Sequence, residues 1–125
     1  MEKISSFIAR IFLAQIFLLS GIFKISGYEG TQNYMNAMGV PGGLLPLVIM
    51  LEVAGGLALV VGWQTKWASL ALASFTLVAA VIFHSNLDDQ MQTIMLMKNI
   101  AIIGGLILLA IHGPGSLSID GFHKK

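Results

Sequence analysis

Four stretches of this 125-residue chain are apolar over about twenty residues each, and that length alone limits what the chain can fold into. A helix rises ~1.5 Å per residue, so ~20 residues cross a ~30 Å hydrocarbon layer. Water cannot satisfy backbone amides there, and a helix satisfies them internally. The spans are expected at about residues 4–24, 44–62, 67–84 and 94–112. They predict an all-α membrane protein, a four-helix transmembrane bundle. Residues 1–125 are read as one domain, because four short helices leave no room for a second core. Only 10% of the chain is charged and 56% is hydrophobic, whereas soluble domains average about 25% charged residues.

The same inventory excludes several chemistries. A net charge of +1 without a basic run argues against nucleic acid as a partner. Cysteine is absent, which removes thiolate catalysis, disulfide relays and cysteine-held iron–sulfur clusters from this chain. The first span contains Arg10 and is followed by no small-x-small cleavage site, so it reads as a retained helix rather than a signal peptide.

The connections differ in character. The second is the short Trp63-Gln64-Thr65-Lys66, which makes its flanking spans antiparallel neighbours, with Trp63 and Trp67 suited to an interfacial belt. The third carries Asp88 and Asp89. The first is long and glycine-rich, but residues 31–38 have room for two helical turns with Tyr34, Met35 and Met38 on one side. That segment is either a cap over the bundle mouth or a flexible loop. Gly113-Pro114-Gly115 stops the last span, and residues 116–125 read as a short tail. Lys3, Lys66, Lys124 and Lys125 gather at one end, which the positive-inside rule assigns to the cytoplasm with both termini.

At the other end each span carries an ionisable residue: Lys24, Glu52, His84 and Lys98. Counted from the expected helix ends, Lys98 lies roughly 6 Å deep and Glu52 roughly 12 Å. A carboxylate at that depth is costly unless paired or functional. The bland alternatives are lysines that snorkel to the interface and a Glu52–lysine clamp with no further role. The functional reading is a polar pocket holding a small anion or a quinone-like carbonyl, with His84 and Glu52 exchanging protons. A metal site is disfavoured because lysines dominate the cluster, and His84 and His112 sit at opposite ends, which disfavours a haem between them. Arg10 is expected to reach the headgroups or the tail, where Asp120 is a candidate partner. Gly55, Gly56, Gly104 and Gly105 are expected to let helices approach closely.

Several of these pieces, in this order, resemble the DoxX family of small bacterial four-helix membrane proteins. They are Arg10, Leu19-Ser20-Gly21-Ile22-Phe23-Lys24, Met38-Gly39-Val40-Pro41, Glu52-Val53-Ala54-Gly55-Gly56-Leu57, Gly62, His84, Lys98-Asn99, and the run from Gly113 to Asp120. The resemblance implies a multi-pass bacterial inner-membrane protein. It adds Asn99 to the pocket candidates and gives Arg10, Gly113, Pro114, Gly115 and Asp120 a structural place at the cytoplasmic end. It further implies a quinone-linked or redox-associated membrane subunit, with a quinone as the candidate cofactor. Partners in that case are the lipid bilayer, a redox protein or a second copy of the chain. Two other readings stand beside it: a non-catalytic scaffold anchoring a soluble redox partner, and a small-solute or lipid carrier, which four unbroken helices disfavour.

Overall fold

The computed structural model describes residues 2–83, 87–115 and 117–123. Its elements are α1 (Glu2–Ser26), α2 (Tyr28–Ala37), a 3-10 turn (Gly42–Leu44), α3 (Leu45–Val61), α4 (Thr65–Phe83), α5 (Gln90–His112) and α6 (Ile119–His123). The four expected spans are α1, α3, α4 and α5, each long and apolar enough to cross a membrane.

Local chemistry sets most of the ends. Pro46 sits in the first turn of α3, where its missing N–H costs nothing. Gly62 ends α3 in the left-handed region with φ 71°. The fourth span starts at Gln90, four residues before the expected 94. Asp89 caps it by accepting a hydrogen bond from the Met91 amide at 3.0 Å, so a polar stretch is held helical by its cap. Lys98 therefore lies eight residues into α5, about 12 Å from the start of the helix rather than 6 Å.

α1 and α5 run in opposite directions, and the N-terminal half of α1 lies beside the chain that follows α5. We call this the tail end, and the end covered by α2 the lid end. α1 packs along α3, and α5 along α4. Small residues permit the approach: a Cβ on Gly21 would lie 2.6 Å from Val53 Cγ2, and one on Gly56 would lie 2.8 Å from Leu18 Cγ. Gly55 does the same between α3 and α4 against Leu72, and Gly105 between α5 and α1 against Leu13. Gly104 departs from expectation, since it faces open space.

The buried core is Ala14, Phe17, Leu59, Leu72, Ala73 and Leu106. It fills the tail-end half of the bundle, where all four spans converge. α5 is the most peripheral, with Leu106 its one fully buried residue.

The segment after α5 is more than a short tail, because residues 119–123 form α6 and dock onto the bundle. Arg10, 1% exposed, holds it. Its Nη1 donates to the Pro114 carbonyl at 2.6 Å, and its Nη2 to the carbonyls of Leu117 at 2.8 Å and Val60 at 3.2 Å. Arg10 thus reaches the tail through backbone carbonyls and is also attracted by Asp120, whose carboxylate closes the start of α4. That carboxylate accepts from the amides of Gln64 at 3.0 Å and Thr65 at 2.9 Å, two of the donors every helix start leaves open. The Asp120 amide donates to the Gly62 carbonyl at 2.8 Å. A Cβ on Gly62 would collide with Ser118. Gly62→Ala is therefore expected to cost at least ~1–2 kcal/mol from the left-handed backbone alone and to loosen α6. A melting temperature in detergent equal to that of the wild type would refute this.

Candidate functional site

Above the core, toward the lid end, the spans diverge around a cavity of about 500 Å³. Phe17, Thr76 and Ile102 are among its floor and walls, and Val48, Phe75, Val78 and Ile82 add apolar surface. Ser20, Lys24, Glu52, Lys98 and Asn99 bring polar groups to it from α1, α3 and α5.

α2 is the cap that the glycine-rich connection had room for. It supplies Thr31, Tyr34 and Met35 to the cavity wall, with Met35 buried. Its Tyr34 ring stacks on Phe83 of α4, with centroids 5.2 Å apart and planes at 24°. The Asn36 side chain accepts from the Gly42 amide at 2.8 Å, and the Gln32 amide donates to the Gly42 carbonyl at 3.1 Å. These bonds tie the lid to the turn that opens α3.

The charges are unequally answered. Glu52 is 3% exposed and pairs with Lys24 at 2.5 Å. The same ammonium donates to Ser20 Oγ at 2.8 Å. A buried ion pair needs such additional bonds to offset desolvation. Ser20 was legible as a family-like residue but not as a partner of Lys24; the signal was its position one helical turn before it. Lys98 lines the same cavity, and among the described residues no hydrogen bond or ion pair reaches it. Asn99, half-buried beside it, is likewise without a side-chain hydrogen bond among those residues.

Of the pocket candidates named from sequence, Lys24, Glu52, Lys98 and Asn99 therefore border one cavity. His84 lies outside the described residues. Arg10, Gly113, Pro114, Gly115 and Asp120 are gathered at the tail end, apart from the cavity. A second, more open hollow there, of about 710 Å³, is bordered by Lys66, Trp67 and His112.

Such a site can hold an elongated, mostly apolar molecule that presents acceptor oxygens to Lys98 and Asn99. Ligand cavities typically measure ~300–1,000 Å³, with apolar walls and a few placed polar groups.

Comparison with known proteins bears on the chain as a whole. The inner membrane protein YqjF of Escherichia coli (strain K12) is 51% identical over 125 residues, covering 100% of this chain and 96% of that protein. The inner membrane protein YphA of the same organism is 37% identical over 120 residues, 90% of this chain and 86% of that protein. A Bacillus subtilis (strain 168) protein named "Putative oxidoreductase CatD" is 28% identical over 80 residues, 64% of this chain and 59% of that protein. No solved structure matches. The DoxX family model matches residues 5–85. That match takes in the first three spans and the lid, and with full-length likeness to an inner-membrane relative it makes the chain a multi-pass inner-membrane protein of the DoxX family.

Proposed function

We propose that the lid-end cavity binds a lipid-soluble carrier of the quinone type, and that the protein serves as the membrane subunit of a redox system. The observation that carries this reading is Lys98, a cation about 12 Å down α5 with no protein partner among the described residues, on the wall of an otherwise apolar cavity. An ammonium there is costly in hydrocarbon unless something answers it. Carbonyl oxygens on a flat apolar ring would do so, with the Asn99 amide as a second donor. The Lys24–Glu52 pair at the same wall would orient water or relay a proton. Electrons would pass to or from a partner protein. Support by analogy comes from the protein named "Putative oxidoreductase CatD". The lysines at the tail end support a cytoplasmic position for both termini.

A second reading, a non-catalytic scaffold for a soluble redox partner, is favoured by one observation: Glu52 is already answered by Lys24, so that pair needs no ligand.

The two separate in mass spectrometry of solvent extracts from protein purified in mild detergent. Wild type is expected to retain a quinone at near-stoichiometric level. Lys98→Met should retain it about 10-fold less or lower, the loss of one charge-assisted hydrogen bond. Equal bulk lipid and no enriched quinone in either sample would sink the carrier reading and leave the scaffold.

A further inference from the structure

Building on the binding role proposed above, we infer that the cavity is loaded sideways from the bilayer, through the gap between α1 and α5. The occupant's acceptor head would lie at Lys98 while its apolar tail stays out among the lipids.

α1 and α5 are antiparallel and touch at Leu13 and Gly105, where a Cβ on Gly105 would lie 3.1 Å from Leu13 Cδ2. Residues seven apart return to nearly the same face of a helix. Seven residues lidward of Leu13 is Ser20, and seven lidward of Gly105 is Lys98. If the helices stayed in contact, these two would meet. Instead both border the cavity, and Ser20 bonds to Lys24. The helices therefore part above the Leu13–Gly105 contact, and the cavity occupies the wedge. Ile16 lines the cavity and is still 36% exposed. Lys98 also lines it and is exposed. Side chains that face inward and outward at once mark a mouth, and this one opens at the level of the hydrocarbon.

The end that would face water is covered, among the described residues, by the lid. α2 lies across it, fastened to α3 through Asn36 and Gln32 and to α4 through the Tyr34–Phe83 stack. Tyr34 on the lid, Leu44 in the turn before α3 and Val78 on α4 also line the cavity and are exposed. None of the three carries a charge, so those borders have no cation to receive a headgroup. Glu52 is taken by Lys24, which leaves Lys98, among the described residues, as the cation that selects the head. The ligand class is then an amphiphile with carbonyl, phenolate or carboxylate oxygens at one end.

The test uses the full chain in phosphatidylcholine vesicles containing a fatty acid with a photoactivatable carbene precursor a few carbons from its carboxylate, so that the reactive group travels with the head. Adducts are mapped by mass spectrometry. Outward residues such as Phe12 and Val81 are labelled whatever the route. The expected result is labelling also on Phe17 and Thr76, which are buried and face the cavity. Ile16→Trp should reduce the inner adducts about tenfold and spare the outer ones, as blocking a mouth raises the entry barrier. Ile16→Phe, a milder plug, should act in the same direction if tryptophan impairs folding. Adducts confined to outward residues would overturn the inference. So would inner adducts lost in Val78→Trp but kept in Ile16→Trp, or inner labelling by a water-soluble carbene probe. A quinone missing from extracts despite inner adducts would instead fault the proposed ligand and leave the route standing.

Discussion

Replacing Arg10 with methionine is expected to lower the melting temperature in detergent by roughly 10 °C or more, at about 3–5 °C per kcal/mol for a chain of this size. The guanidinium is 1% exposed and donates to three carbonyls from two separate parts of the chain, residue 60 on α3 and residues 114 and 117 in the tail. A buried acceptor left without a donor costs about 1–3 kcal/mol, so losing the fork should cost on the order of 3–5 kcal/mol. Arg10→Lys should recover part of this, since an ammonium keeps the charge but lacks the planar fork. Hydrogen exchange separates this from a general loss of packing. The Gln64 and Thr65 amides are held by Asp120, so they should lose protection before the core does. An unchanged melting temperature would mean the tail is held by something other than Arg10.

The second large effect is an asymmetry across the Lys24–Glu52 pair. Lys24→Met strands a carboxylate that is 3% exposed, and breaking a buried pair from one side costs about 3–5 kcal/mol. Glu52→Gln leaves an ammonium that is 25% exposed, two residues from the end of α1. That side chain can extend toward headgroups, so the cost should be nearer ~1 kcal/mol. Lys24→Met with Glu52→Met removes both charges and should return to within about 1 kcal/mol of wild type. With the Glu52→Met single variant added, the melting temperatures of wild type, Lys24→Met, Glu52→Met and the double variant form a double-mutant cycle. Should Glu52→Gln prove the more damaging single change, Glu52 must answer something besides Lys24.

The number of spans was legible because hydrocarbon thickness demands a fixed length of apolar chain. Their ends were less so, because ends are set by hydrogen bonds. Residues 90–93 look too polar to join a span, yet the Asp89 cap and the Thr93 hydroxyl bonds support them as helix; the distance of Lys98 from the helix start changes with it. The ionisable residues of the candidate site were visible as types, and a Glu52–lysine clamp was among the readings open to them. Which lysine closes it was not visible, because the choice depends on α1 lying against α3 at Gly21 and Gly56. That Arg10 reaches the tail was among the expectations; the helix there and the contacts that dock it were hidden for a different reason. Arg10 is held there by backbone carbonyls, and every residue carries one, so no spacing of side chains announces them.

The position of Arg10 has a consequence for biosynthesis. Its carbonyl partners at residues 114 and 117 leave the ribosome more than a hundred residues after it does, and Asp120, which secures the start of α4, follows later still. Until then the first span must carry a cation with two of its three carbonyl partners missing, in a half-assembled helix set. Completion of the bundle is thus tied to the arrival of residues 114–120. A nascent chain halted before them would present the insertion and quality-control machinery with an open fork and two uncovered amides, a recognisable mark of an unfinished product.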